Sequence, residues 1–267
     1  MRTGFTRQNN GTFIYYTADN IKTPHMFTTR YGGVSTGYLS SMNLGFHRGD
    51  TRENVRKNYE IVAETMGVPV ESITATKQVH GDQVTVVRPE HRGMGVSRPF
   101  LWETDALVTE QRGIVLAGFY ADCVVTLLYD ERTEAVGVCH SGWRGTAENI
   151  LGKTVARMAE AFGSRPEDIR AAIGPSIGPC CFETDEDVPA AMKQKLGGWC
   201  ETFIRRKGTK YSVDLQGLNA EHLRRAGVRE IADSGMCTCC RSDEFWSHRK
   251  TRGKRGVLGA FIGLSKE

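Results

Sequence analysis

The first third of the chain alternates short apolar runs with polar turns. TFIYYTAD and HMFTTR have the β-branched and aromatic content of strands. RYGGVSTGYLSSMNLGFHRGD follows, a Gly- and Ser-rich loop longer than a connector needs. Such loops are functional or packed on themselves. TRENVRKNYEIVAETMG then predicts a helix, with Val55, Tyr59, Val62, Ala63 and Met66 at helical spacing and Gly67 at its stop.

The centre is strand-dense, running through SITATKQVH, QVTVVRP, DALVT, GIVLAGFYADC, VVTLLYD and EAVGVCHS. The pair QVH and QVTVV, split by Gly81-Asp82, predicts a hairpin with a short turn, and LLYDERTEAVGV predicts a second across Asp130–Thr133. Several runs are almost continuously apolar, which predicts a sheet covered on both faces. GTAENILGKTVARMAEAFG predicts the strongest helix, with Ala147, Ile150, Leu151, Val155, Met158, Ala159 and Phe162 in one stripe. After the strand IRAAI come two helical pieces, near DVPAAMKQKL and LNAEHLRRAG, and a last strand in GVLGAFIGL. Helices interspersed with hairpin-joined strands predict an α/β (α+β) fold with mixed or antiparallel sheets flanked by helices. No repeat or Pro/Ser-rich linker divides the chain, so residues 1–267 read as a single compact domain.

Composition narrows the function classes. Apolar residues make up 39% of the chain and charged residues 25%, ordinary values that exclude a disordered chain. No apolar run approaches the roughly 18 residues that span a bilayer. MRTGFTRQNNGTFIYY lacks the apolar stretch of a signal peptide, so a cytoplasmic location is expected, with no membrane partner. A net charge of +4 does not call for nucleic acid. The basic excess gathers in SHRKTRGKRG, a solvated loop or an anion site. The eight cysteines are 123, 139, 180, 181, 200, 237, 239 and 240. With no export signal they read as reduced thiols, most of them buried small hydrophobes.

Three motif matches do not carry chemistry. AENILGKT fits a loose phosphate-loop pattern, but it lies inside the helical stripe. GPSIG fits a nucleophile elbow around Ser176, yet Gly178-Pro179 follows where a helix should start. CTCC contains C-x-x-C, but a structural zinc site needs a second ligand pair. Adjacent Cys180 and Cys181 look poorly placed to supply one, so free buried thiols are expected there.

Three other residues share a setting. His80 closes TATKQVH, Cys123 follows FYAD between two apolar runs, and His140 closes EAVGVC before Gly142. Side chains at strand ends of one sheet can converge. His, Cys and His are ligand types that zinc prefers, and three protein ligands leave a fourth position for water or substrate. Taken singly, each has a bland reading as a satisfied histidine or a packed thiol. Arg144, near the start of the strong helix, is placed to hold phosphate or to form a surface salt bridge. Gln78 and Asn43 are polar turn candidates for ligand contact, and Asp122 and Glu183 for a general acid or base.

TKQVHG, ADCVVTLLYD, VGVCHSGWRGT and AAIGPSIGPCCFE resemble the signature blocks of the bacterial family labelled multicopper polyphenol oxidase or laccase-like, now viewed as purine nucleoside phosphorylases. FTTRYGGVS with SMNLGFHRGD resembles its N-terminal block and DEFWSHRKTRGKRG its C-terminal one. The blocks run in family order from about Phe27 to Leu264. Four features depart from the family pattern: Ser141 for alanine, Val125 for proline, His248-Arg249 for a Tyr-Arg pair, and TRGKRG for the T-G-R block. The resemblance implies a catalytic metal centre of His80, Cys123 and His140, holding Zn²⁺ or sometimes Cu²⁺. It implies phosphorolysis of adenosine, inosine and 5′-methylthioadenosine, with adenosine deamination as a side activity. Purine nucleoside and phosphate would be its small-molecule partners. Some family members are assigned a different role, as amidases editing cell-wall precursors. A metal- or partner-binding module using the GGVSTGYLSS loop is a third reading. Phenol oxidation needs several copper centres, more than one His-Cys-His set provides.

Overall fold

The computed structural model describes residues 4–11 and 13–264. Strands β1 (Phe5–Asn9), β2 (Ile14–Ala18), β3 (His25–Thr28), β4 (Ile73–Ala75), β7 (Val115–Tyr120) and β15 (Leu258–Gly263) form a first sheet in the order β1-β2-β3-β15-β7-β4. Strands β5 (Val84–Val86), β6 (Ala106–Thr109), β8 (Val124–Asp130), β9 (Ala135–Ser141), β10 (Ile169–Ile173) and β14 (Glu230–Asp233) form a second, ordered β14-β10-β8-β9-β6-β5. A small third sheet joins β11 (Glu183–Thr184), β12 (Ile204–Lys207) and β13 (Lys210–Val213). The helices are α1 (Arg52–Thr65), α2 (Trp143–Ala147), α3 (Ile150–Phe162), α4 (Asp187–Leu196), α5 (Leu215–Arg225) and α6 (His248–Thr251).

Both large sheets are mixed, as the hairpin pattern predicts. Antiparallel pairs such as β8–β9 and β15–β7 dominate, with parallel pairs β4–β7, β5–β6 and β10–β14 at the edges. The continuous apolar runs have a direct cause. Along β8, Val124 and Leu128 pack with α3 and α5, while Val125, Leu127 and Tyr129 face the first sheet. Along β7 the same alternation sends Leu116 and Tyr120 toward the second sheet and Val115 and Ala117 toward α1. The result is helix, sheet, sheet, helix, with both faces of each sheet buried.

Three expectations change. The QVH and QVTVV segments do not form a hairpin: β4 ends at Ala75 in the first sheet, and β5 lies in the second. The amides of Val79, His80 and Gly81 donate to the Asp105 carboxylate instead of to a strand. The predicted long helix is two helices. Asn149 breaks it with a left-handed backbone, φ 55°, and its side chain accepts from the amide of Gly152 to start α3. Strands β1, β11, β12, β13 and β14 were not anticipated: β1 and β12 are mostly exposed, β11 is two residues long, and β13 and β14 are short and carry no clear apolar alternation.

The long Gly/Ser loop packs on itself. Buried Asn58 of α1 accepts from the Val34 amide and donates to Ser35 Oγ and the Asn43 carbonyl. Asp50 accepts from Ser35 and Asn43. Leu39, Met42 and Leu44 are buried beneath it. Among the described residues no helix is long and apolar enough to cross a membrane.

Asn58→Ala strips three partners from buried polar groups. The expected loss is about 1–3 kcal/mol of stability, read as a lower urea midpoint with an unchanged slope.

Candidate metal centre

The chain passes from the first sheet to the second between β7 and β8, through Ala121, Asp122 and Cys123. Asp122 makes the crossing at φ 95°, a conformation that side chains rarely adopt. Its own bonds hold it there. The carboxylate accepts from Thr238 Oγ1 at 2.7 Å and from the Arg249 amide at 2.6 Å, and its carbonyl accepts from the Ile177 amide at 2.8 Å. Cys123 follows directly and is fixed at the junction of the sheets.

His140 is the penultimate residue of β9 and is 2% exposed. Its Nδ1 lies 2.9 Å from Asp105 Oδ1, and its amide donates to the Asp105 carbonyl at 2.8 Å. The same carboxylate accepts from the amides of Val79, His80 and Gly81 at 3.1, 3.0 and 2.9 Å. Burial pushes the Asp105 carboxyl up, but His140 and these amides outweigh it and hold the group below its ordinary range. An ionised carboxylate accepts only, so His140 Nδ1 carries the proton and Nε2 is left toward Cys123.

His80 reaches the site from a left-handed turn, φ 61°, with Nε2 3.8 Å from Cys123 Sγ. The His80 and His140 rings stand edge to face with centroids 5.0 Å apart. One donor atom from each of His80, Cys123 and His140 lies within 4.8 Å of the other two. Gly142 makes room for this: a Cβ there would sit 2.7 Å from His80 Cδ2 and 3.4 Å from Cys123 Sγ. Burial pushes the Cys123 thiol up, but His140 and His80 outweigh it and bring it down to about 6. Burial pushes His140 down, while Cys123 and Asp105 raise it to about 9. The metal-free centre is therefore a thiolate beside an imidazolium at neutral pH. Neighbouring Cys139, by contrast, is pushed up to about 11 by burial and stays a thiol.

The trio opens onto a cavity of about 450 Å³. Phe46, Phe100, Phe119 and Tyr120 give it aromatic walls, with Phe46 stacked on Tyr59 at 5.6 Å. The Tyr120 hydroxyl is buried and has no partner among the described residues, and burial raises its pKa. Arg48, Lys77 and Arg255 add positive charge. Burial and the nearby Arg48 push Arg255 down to about 10, and its Nε is buried without a partner among the described residues.

The remaining sequence candidates fall in different places. Gln78 lines the cavity, but its amide is spent on the Phe119 backbone, donating to the carbonyl and accepting from the amide at 2.7 Å each. Asn43 is fully buried just behind the wall, bonded to Gly45, Asp50 and Val257. Arg144 is exposed, stacks on Trp143 at 4.3 Å and does not line the cavity. The carboxylate of Asp122 is occupied by Thr238 and Arg249, and Glu183 is an exposed residue of β11. Ser176 is buried in a bridge to Cys237 and is followed by no helix. Of the basic C-terminal run, Arg255 enters the cavity, while Arg249 donates to the Cys181 carbonyl.

Asp105 is the main residue that sequence reasoning missed. Its signal was available: an acidic residue opening the apolar run DALVT is a candidate buried carboxylate. The expectation of buried thiols at CTCC is also corrected. Cys180 and Cys240 are exposed, Cys181 and Cys239 half-buried, and only Cys237 among them is buried. They escape burial because they lie on turns at the surface end of β10 and before α6.

The sequence profile of the multi-copper polyphenol oxidoreductase laccase family matches residues 24–265. The chain belongs to this family. A purine nucleoside phosphorylase of Deinococcus radiodurans is 38% identical over 93% of this chain and 92% of its own length. The purine nucleoside phosphorylase YlmD of Geobacillus stearothermophilus is 37% identical over 90% and 89%. Crystal structures of YlmD from the same species and of the Bacillus licheniformis hypothetical protein YfiH both superpose with a TM-score of 0.91, at 34% and 33% identity. Each covers 97% of this chain and 99% of its own. The laccase-like family fold expected from the signature blocks is thus the fold observed.

Asp105→Asn keeps the shape but removes the charge behind both histidines. Metal affinity should fall about 10–100-fold, measured by competition with a chromophoric chelator. In metal-free protein, alkylation of Cys123 should be half-maximal near pH 6 and close to its plateau by about pH 7. An unperturbed thiol would be half-maximal only near pH 8.5 and still accelerating above it. Mass spectrometry of the Cys123 peptide separates the two profiles.

Proposed function

We propose that this chain is a purine nucleoside phosphorylase acting at the His80–Cys123–His140 centre. The observation that carries the reading is the company of that centre. A cavity with aromatic walls also holds two neighbouring arginines, one of them with a buried nitrogen that has no partner among the described residues. Flat walls suit a purine, and neighbouring guanidiniums suit a phosphate. The names of the relatives point the same way.

The donor set fits a zinc ion. Two imidazoles and a thiol already biased to thiolate converge within 4.8 Å, and the Asp105–His140 bond supplies the usual outer partner. Cu²⁺ is compatible with the same donors. A metal bound there would act as a Lewis acid toward a substrate oxygen.

In phosphorolysis a phosphate oxygen bonds to C1′ of the ribose as the bond from C1′ to the purine nitrogen breaks. The base leaves with the bonding pair and takes up a proton. Arg48 and Arg255 hold the phosphate and screen its charge as it approaches the sugar. Phe46 and Phe119 hold the base by stacking. Tyr120, kept protonated by burial, donates a hydrogen bond to the leaving purine or the sugar. Gln78 fixes the strand-to-loop segment that carries His80 and acts as a positioning residue. Adenosine, inosine and 5′-methylthioadenosine are the substrates within this reading, and adenosine deamination is a side activity of the same cavity.

Purified protein given adenosine and phosphate should yield adenine and ribose 1-phosphate. Ammonia released without phosphate reports the deamination. Absence of phosphate-dependent cleavage, with hydrolysis of an amino-acid-bearing cell-wall precursor instead, would replace this reading by the amidase one. Arg255→Met should raise the KM for phosphate at least tenfold, about 1.4 kcal/mol, with a smaller change in the KM for the nucleoside.

A further inference from the structure

A second cluster of metal-ligand side chains lies outside the cavity. The turn after β10 and the turn after β14 meet through a bridge between Ser176 and Cys237. The Ser176 amide donates to the Met236 carbonyl, and the Thr238 amide donates back to the Ser176 carbonyl. This brings Cys180 and Cys181 against Cys237 and Cys240. The Cys240 sulfur lies 3.5 Å from that of Cys180 and 3.4 Å from that of Cys181. All four sulfurs fall within 4.8 Å of one another.

We propose that Cys180, Cys181, Cys237 and Cys240 form a tetrathiolate site for a soft divalent metal ion of the zinc class, separate from the His-Cys-His centre. The spacing suits one ion. A tetrahedral ion with metal–sulfur bonds of about 2.3 Å separates its sulfurs by about 3.8 Å. A disulfide would need only two of the four and gives no reason for the others to converge. The amide of Gly178 donates to Cys237 Sγ at 3.2 Å. Gly178 itself is packed into the site, where a Cβ would lie 3.3 Å from both Cys180 Sγ and Cys237 Cβ. Four thiolates on a divalent ion leave excess negative charge. Arg249, bonded to the Cys181 carbonyl at 2.9 Å, stands beside it.

The two turns also grip Asp122. Ile177 donates to its carbonyl and Thr238 to its carboxylate. Clamping the turns by a metal would brace the strained residue that fixes Cys123. This proposal does not rest on the phosphorylase reading, since metal content and thiol protection report it without any substrate.

The test uses the full chain loaded with zinc, freed of excess and analysed for metal. Cys180→Ser/Cys240→Ser should hold one zinc per chain fewer than the unaltered protein, whatever the first centre holds. Equal metal content in the two would overturn the proposal. A second measurement needs no variant, so it stands even if that variant fails to fold. Zinc should slow iodoacetamide labelling of Cys180, Cys181, Cys237 and Cys240 more than about tenfold, and a chelator should restore it. Equal labelling with and without zinc would overturn the proposal, as would a Cys180–Cys240 or Cys181–Cys240 disulfide in the freshly purified protein.

Discussion

The candidate centre depends on one buried carboxylate. Asp105 is fully buried, and a lone carboxylate there would be costly to ionise. It is ionised because four N–H groups converge on it: three consecutive amides from one sheet's outgoing loop and the ring of a histidine from the other sheet. The bonds work in both directions. They stabilise the charge, and the charge fixes the residues that supply them. His80 takes a left-handed backbone because its amide and both neighbouring amides must point at one group. His140 has its tautomer chosen by the same oxygen that holds His80. One side chain therefore sets the position of two of the three donors, and the third is set independently by the strained crossing at Asp122.

This division explains why the sheets matter to the site. Neither sheet contains it. The first sheet delivers His80 after β4, and the second delivers His140 near the end of β9. Cys123 sits where the chain passes from β7 to β8. The centre can exist only if the two sheets keep a fixed relation, and the apolar layer between them keeps it. Phe27, Leu116, Tyr120, Leu127, Val138 and Leu258 belong to one buried cluster that spans both sheets. Packing at that density transmits small displacements, so changes far from the cavity still reach the donor distances.

The architecture was readable wherever burial was two-sided and long. The runs around β7, β8 and β9, and the stripe of α3, carry apolar signals that no turn residue interrupts. The hairpin at Gly81-Asp82 misled because its period resembles a strand, while its amides are claimed by a carboxylate from a segment 24 residues further on. Nothing local announces such a partner. The break at Asn149 is of the same kind: the apolar stripe continues across it, and only the backbone turns. The trio His80, Cys123 and His140 was legible as residue types at strand boundaries and through the signature blocks. Arg48 and Arg255 were not legible as a pair, because they come from loops at opposite ends of the chain and meet only across the cavity. The thiols were misjudged for a related reason. Adjacency of Cys180 and Cys181 looked unfavourable along the chain, whereas the second pair approaches from the side.

Part of the local cost of the fold is carried at the cavity. The positive-φ residues His80 and Asp122 lie in or beside it, as do the Tyr120 hydroxyl and Arg255 Nε, both buried with no partner among the described residues. In α1, β8 and β9, by contrast, local preference and global packing agree, through the capped start of the helix and the two-sided burial of the strands. Consistency across levels stabilises a fold, and departures from it gather where a site must stay open to a ligand. Arg48 and Arg255 make the point most directly. Two neighbouring guanidiniums repel, and burial penalises one of them further. Asp122 and Cys123 offset part of this, but the carboxylate of Asp122 is already committed to Thr238 and Arg249. The balance left over is positive charge facing an aromatic cavity. An anion entering there relieves repulsion that the folded chain otherwise has to carry.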